Sequence, residues 1–185
     1  MSLFWVTGSA GTGKSTVCSE LKERGYVAYD VDNDGLARWT NLETGFIHPK
    51  SSVKPEDRTA EFIKTHGWFT PRATVEEIQK EARGKSGFLC GAVDNYDEVK
   101  DLFSGIIALY VDDETIKKRF ATRSPREWGT QEHEVRQTLE KHHVIYEKWK
   151  GLGAVVISAS QAQEVVVDEV VEAAQTLAAS SHSLT

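Results

Sequence analysis

Long apolar runs are missing from this 185-residue sequence. None approaches the roughly 20 residues of a membrane-spanning helix, and the N-terminus lacks the charged-then-apolar layout of a secretory leader. No membrane-spanning helix is therefore expected, and a cytoplasmic location is. Cysteine is scarce: Cys18 and Cys90 are the two present. Without CxxC or metal-ligand spacing they argue against a disulfide scaffold or a zinc module, and reduced packing thiols are expected. Basic residues are outnumbered, 22 Lys and Arg against 28 Asp and Glu, for a net charge of −6. No basic stripe stands out, which argues against a nucleic-acid polymer or a membrane surface as partner. Internal repeats are absent too, and the length suits one domain with a full core between layers.

Glycine, by contrast, is concentrated where it counts. The stretch Phe4-Trp5-Val6-Thr7-Gly8-Ser9-Ala10-Gly11-Thr12-Gly13-Lys14-Ser15-Thr16 sets an apolar run against a turn with three glycines in six positions. Gly8-x-x-x-x-Gly13-Lys14-Ser15 fits the phosphate-binding P-loop in full. Glycines at Gly8, Gly11 and Gly13 let the backbone, with Thr12 and Thr16, curl into a nest of inward N–H groups. The helix that follows adds its positive end. In this pattern Lys14 reaches the β- and γ-phosphates of ATP, and the Ser15 hydroxyl ligates Mg²⁺. Leu3–Thr7 reads as a short buried strand, and Thr16 to Arg24 carries Val17, Cys18 and Leu21 on one helical side, so the motif has its strand–loop–helix setting.

Apolar β-type runs recur at Leu3–Thr7, Tyr26–Tyr29, Gly87–Cys90, Ile106–Val111 and Ala154–Ser158. Helical patterns lie between them, at about 57–66, 74–83, 95–103, 113–123, 131–149 and 161–178. The alternation predicts an α/β three-layer sandwich: a five-stranded parallel sheet with helices on both faces. A single domain over 1–178 is expected, with a frayed tail over 179–185. The irregular stretch 39–72 reads as an acceptor-side insertion over the carboxyl ends of the strands, where ligands of such sheets bind.

The second strand ends in Asp30-Val31-Asp32. Two carboxylates beside a γ-phosphate can divide the labour, Asp30 holding Mg²⁺ through water and Asp32 accepting a proton from an acceptor hydroxyl. An Asp-rich turn capping a short helix from Asn33 is the alternative. Trp39, Trp68 and Phe69 in the insertion can stack on an acceptor ring or pack a core. His142 and His143 lie mid-helix with no second ligand pair, which suits surface or packing roles.

With these residues the chain resembles the small P-loop kinases, the family of shikimate kinase, gluconate kinase and the nucleoside monophosphate kinases, over nearly its whole length. Asp30 and Asp32 match the Asp-x-Asp of the shikimate type, whereas Asp34-Gly35-Leu36-Ala37-Arg38 is similar to the adenylate-type segment whose arginine binds an acceptor phosphate. The resemblance thus implies Arg38 as an acceptor-binding residue. Gly87-Phe88-Leu89-Cys90-Gly91 resembles the adenylate-type third strand, but Cys90 stands where that family has an aspartate assisting Mg²⁺, which favours Asp30 in the role. The next carboxylate, Asp94, can contact the acceptor or, with Asn95, cap the helix at Tyr96. After the fourth strand, residues 119–130 resemble the family's lid, implying Arg119 against the adenine and Arg123, with Arg126, on the transferring phosphoryl group. The loop Ser158-Ala159-Ser160-Gln161 resembles the adenine-holding loop, which adds Ser160 and Gln161.

The resemblance implies an ATP- and Mg²⁺-dependent phosphotransferase, a monomer or homodimer, acting on a small molecule, a nucleoside or nucleotide first. A shikimate- or gluconate-type kinase of another alcohol is the alternative. A nucleotide-hydrolysing regulatory ATPase is a rival of another class, without the Asn/Thr-Lys-x-Asp guanine motif or an apolar run ending in Asp-Glu to support it.

Overall fold

Alternate side chains of the first strand serve two different cores. In the computed structural model, which describes residues 2–125 and 127–182, Leu3 and Trp5 enter one apolar cluster while Phe4 and Val6 enter another, all fully buried. A strand buried on both faces has no polar side to show, which is why these runs read as continuous rather than alternating.

The elements follow in the order β1 (Ser2–Thr7), α1 (Lys14–Glu23), β2 (Val27–Asp30), β3 (Arg38–Asn41), α2 (Ala60–Thr65), β4 (His66–Phe69), α3 (Arg72–Glu81), β5 (Ser86–Cys90), α4 (Tyr96–Val99), β6 (Gly105–Tyr110), α5 (Asp113–Phe120), α6 (Glu132–Gly151), β7 (Val155–Ser158) and α7 (Gln163–His182). Five strands form one parallel sheet in the order β2-β5-β1-β6-β7, with β1 at its centre. On one face α1, α5 and α7 bury Val17, Leu21, Ile116, Phe120, Val167 and Val170 against Phe4, Phe88 and Ile107. On the other, α3, α4 and the end of α6 bring Val75, Ile78, Val99 and Trp149 onto Leu3, Trp5 and Leu89. This is the α/β layering that the alternation predicts.

The insertion departs from the expected irregular segment. Its ends pair as an antiparallel hairpin, β3 with β4, which sets Trp39 opposite Trp68 and Arg38 opposite Phe69. The helix expected at 57–66 is a 3₁₀ turn over Pro55–Asp57 and then α2, whose start is capped by the Thr59 hydroxyl accepting from the Phe62 amide at 3.1 Å. The one expected at 95–103 stops at Val99 and tightens into a 3₁₀ turn over Lys100–Leu102. No helix starts at Asn33, because residues 31–35 are a run of turns. At the other end α7 continues to His182, beyond the expected start of a frayed tail, and residues 183–185 lie outside the described residues. Among the described residues no helix is long and apolar enough to cross a membrane.

Trp5 anchors the centre of the sheet. Its ring stacks on Tyr96 at 4.7 Å, meets Trp149 edge-on at 4.7 Å, and donates from Nε1 to the Gly91 carbonyl at 3.0 Å. Trp5→Ala should therefore cost about 3–5 kcal/mol of stability, the range for emptying a buried aromatic site. Urea unfolding measures it, and a loss under about 1 kcal/mol, the scale of a surface change, would contradict this packing.

Candidate active site

The turn after β1 is bent where glycine alone fits well. Gly8, Gly11 and Gly13 have φ of 141°, 88° and 99°. At Gly8 there is also no space, since a Cβ would lie 2.4 Å from the Leu109 carbonyl oxygen of β6. The loop so formed turns carbonyls inward on one side: Ser9 O accepts from the Thr12 hydroxyl at 2.9 Å and from Lys14 Nζ at 2.8 Å, and Gly8 O accepts from the same ammonium at 2.9 Å. Ser15 and Thr16 begin α1 with exposed side chains.

Lys14 stands in a concave setting. Burial lowers its pKa from 10.5 to about 8, opposed chiefly by the negative charge of Asp32 and then of Asp30, and aided by the positive charge of Arg123. Asp32 shows the mirror image. Its carboxyl keeps contact with solvent, yet the protein around it pushes the pKa up, with Lys14 pulling it back down. Burial likewise lowers the pKa of Arg123, which Glu127 and Asp32 oppose. Four sequence-predicted groups, Lys14, Asp30, Asp32 and Arg123, thus lie within one another's electrostatic reach.

The two aspartates are not equivalent. Asp30 is buried, and its carboxylate accepts from the Asp32 amide at 2.9 Å, the Asn33 amide at 2.8 Å and the Asn33 side chain at 3.2 Å. It organises the turn that presents Asp32. Asp32 accepts a hydrogen bond from Trp68 Nε1 at 2.9 Å, so the insertion is tied to the end of β2.

Asp94 serves Trp68 as well. Its carboxylate accepts from the Trp68 amide at 2.7 Å, and its own amide donates to the Trp68 carbonyl at 2.9 Å. Asn95 pairs in the same way with Thr70, at 3.1 and 2.9 Å, so it makes no side-chain cap on α4. Arg38 turns back on its own chain, donating to the carbonyls of Gly35 and Ala37 at 2.6 and 2.7 Å. The insertion's rings cluster: Trp39 lies 5.1 Å from Trp68, 5.3 Å from Phe62 and 6.4 Å from Trp128 of the lid.

On the far side of the loop, Arg119 joins two predicted elements. One guanidinium nitrogen donates to Gly11 O at 2.8 Å and the other to Ala159 O at 2.8 Å, so the P-loop and the turn after β7 share one cation. Ser160 is exposed, and Gln161 spends its amide on Glu169 at 3.1 Å. Arg123 lies over the Phe120 ring at 4.6 Å and donates to the Trp128 carbonyl. Arg126 lies outside the described residues. Cys90 is buried at the end of β5, where burial pushes its thiol pKa well up.

Two participants escape the sequence reading. His142, 1% exposed, reaches from α6 to the P-loop, with Nδ1 2.9 Å from Ser9 Oγ and Nε2 2.7 Å from Val111 O. A carbonyl can only accept, so Nε2 carries the proton. Nothing local distinguishes His142 from its neighbour His143, which is exposed. Glu134, fully buried, gathers the turn before α6: one carboxylate oxygen accepts the amides of Gly129 and Thr130 at 2.8 and 3.2 Å. Gln131 and Glu134 have capping-box spacing, a signal available in the sequence.

The comparisons bear on the family and the fold. The family model described as AAA domain matches residues 5–140. An adenylyl-sulfate kinase of Clostridium acetobutylicum is 42% identical over 62 residues, 31% of this chain and 28% of that protein. One from Bacillus velezensis is 27% identical over 86 residues, 43% of this chain and 44% of that protein, so the chain matches less than half the length of these curated relatives. Among solved structures, a gluconokinase from Sinorhizobium meliloti superposes with a TM-score of 0.59 at 15% identity, covering 100% of this chain and 97% of that one. Shikimate kinase from Acinetobacter baumannii, in complex with shikimate, gives 0.57 at 16% identity over 93% and 92%. The sheet order and layers are those of the P-loop kinase fold, and the chain belongs to the AAA domain family.

Proposed function

We propose that the protein transfers a phosphoryl group from ATP to a hydroxyl of a small acceptor, a nucleoside or nucleotide. The observation that carries this reading is Asp32, held by Trp68 at 2.9 Å within the field of Lys14 and Arg123. A carboxylate whose pKa is raised by its surroundings, beside a lysine and an arginine, supplies a proton acceptor and charge neutralisation together. A hydrolysing ATPase has less need of the ring-walled insertion.

The P-loop fits a triphosphate: its glycines bend the backbone open, and Lys14 offers donors that now satisfy only the loop's own carbonyls. Bound ATP·Mg²⁺ would supply the γ-phosphoryl group. Gly8 to Thr16 would hold the phosphates, with Ser15 toward the cation, and Arg119 beside Ser160 and Gln161 would flank the base. A carboxylate has about four acceptor positions. Asp30 uses three of them on its turn, leaving room for a water-mediated contact to Mg²⁺. Asp32 takes the hydroxyl proton as Arg123 approaches the transferring group, while Arg38, Trp68 and Asp94 shape the acceptor side.

The matched relatives are named for adenylyl sulfate, an adenylyl compound, and the rings of Trp39, Trp68 and Trp128 offer faces for a base. The Asp30-x-Asp32 turn supports a second reading, a sugar-acid or other alcohol acceptor. ADP release with nucleosides, nucleotides, shikimate and gluconate separates them. Release that needs no acceptor would instead favour the ATPase.

Asp32→Asn should lower transfer to a hydroxyl acceptor by about 10²–10⁴-fold, the usual span for a positioned proton acceptor, with ATP·Mg²⁺ affinity near that of the parent. Unchanged turnover would remove the proton-acceptor role.

Lys14 gives a pH signature of two opposite signs. Its charged form attracts phosphate, so ATP·Mg²⁺ affinity should fall as pH rises through about 8. The unfolded chain keeps the proton up to 10.5, so between those values unfolding takes up protons and this group's contribution to stability rises with pH. Lys14→Met should flatten both trends relative to the parent, in calorimetric titration and in thermal unfolding. Parallel slopes in parent and variant would refute the assignment.

A further inference from the structure

Arg58 and Glu134 come from opposite sides of the cleft and meet inside the protein. Arg58 belongs to the insertion and is 9% exposed, and Glu134 belongs to the first turn of α6 and is 0% exposed. Arg58 Nε lies 3.0 Å from Glu134 Oε1. Around this pair the insertion and the lid are laced together. Arg58 Nη2 donates to Glu127 O at 3.1 Å, its guanidinium stands 5.8 Å from the Trp128 ring, His133 Nε2 donates to Arg58 O at 2.7 Å, and Gln131 donates to Pro55 O.

We propose that Arg58 and Glu134 are a positioning pair that makes the acceptor-side insertion and the lid move as one body and thereby sets the place of Arg123. The significance of Arg123 rests on the phosphotransfer reading, whereas the linkage itself does not. The path is continuous. Glu134 Oε2 accepts the amides of Gly129, Thr130 and Gln131, at 2.8, 3.2 and 3.4 Å, which fixes the turn after Trp128. The Trp128 indole donates to Thr138 Oγ1 at 3.1 Å, and the Trp128 carbonyl accepts from Arg123. A second path runs through rings, from Asp32 to Trp68, on to Trp39 at 5.1 Å and to Trp128 at 6.4 Å. An event at Asp32 therefore has a physical route to Arg123 through the rings, and an event at Arg58 has one through Glu134.

A buried ion pair gains little net stability, because desolvating both charges offsets their attraction. Its effect here is geometric: two opposite charges 3.0 Å apart, with no aligned hydrogen bond between them, hold the two segments at one separation inside the protein. Coupling of this kind must also be reciprocal, so anything that orders the lid must order the insertion.

Amide hydrogen exchange on the whole chain tests the proposal, first without ligand. Arg58→Met, in the insertion, should speed exchange at 129–131 by about tenfold or more, the size expected when hydrogen bonds to a charged group are weakened. Glu134→Gln, in α6, should speed exchange at 55–59 as well as at 129–131. The double variant should be no worse than the worse single one, and Arg58→Lys should be intermediate, which keeps the test decisive if Arg58→Met does not fold. Next, the non-hydrolysable ATP analogue AMP-PNP with Mg²⁺ should slow exchange at 55–59 in the parent, and this remote protection should vanish in Arg58→Met although AMP-PNP still binds. Variants that loosen only their own segment, or remote protection that survives Arg58→Met, would overturn the pair. Failure of AMP-PNP to bind the parent would sink the nucleotide reading instead, with the ligand-free arm still deciding the linkage.

Discussion

A half-buried ammonium is the constraint around which the site is built. Lys14 is held by two carbonyls of its own loop, in surroundings that disfavour its charge, with Arg123 adding repulsion and Asp32 and Asp30 supplying the opposing field. Two cations share the cleft, and burial weakens the hold of each on its proton. A polyanion entering between them would relieve the repulsion and favour the charged form of Lys14. On the proposed function, then, phosphate binding draws on electrostatic tension already present in the free protein.

That lysine can be held so only because the backbone beneath it is braced from several directions. β6 presses on Gly8 so closely that a methyl group has no room. α5 lays Phe120 against Gly11, where a Cβ would come within 3.1 Å, and sends Arg119 to the Gly11 carbonyl. α6 contributes His142 to the Ser9 hydroxyl, with the Tyr110 ring stacked on the imidazole at 4.9 Å. A loop encoded within the first 16 residues thus takes its shape from chain a hundred residues further on.

This dependence on distant chain explains what could and could not be read from the sequence. The P-loop was legible because glycine spacing and the Lys-Ser pair are local demands of one backbone shape. The inner strands β1, β5 and β6 were legible because burial on both faces leaves runs such as Gly87–Cys90 without polar interruption, and the half-buried edge strands β2 and β7 because their short runs are still mostly apolar. The β3–β4 hairpin was not. Arg-Trp-Thr-Asn and His-Gly-Trp-Phe are too short and mixed to announce strands, and what pairs them is the cross-strand contact of Trp39 with Trp68 across a long excursion. His142 lay hidden in a polar helical stretch, since its burial comes from Tyr110 and Ser9, and Arg58 carried no local signal at all. Glu134 was within reach, because an acidic residue three positions into a helix is a capping pattern, although its second partner in the insertion was not foreseeable.

The pair at the end of β2 shows how two identical side chains acquire different duties. Asp30 is the last strand residue, so its side chain points into the layer below and meets the amides that follow the strand. Three donors of the turn engage it and fix that turn in place. Asp32 stands beyond the strand end, held by one indole N–H, with its pKa raised by the surrounding protein. A carboxylate with one donor and a raised pKa can accept a proton during a reaction, whereas one engaged by three donors of its own turn keeps the first in place. That ordering explains why Trp68, an insertion residue, matters to a P-loop site. The indole that holds Asp32 is bound through its own backbone to Asp94 and packed against Trp39, so the orientation of the proton acceptor is inherited from the fold of the cover above it.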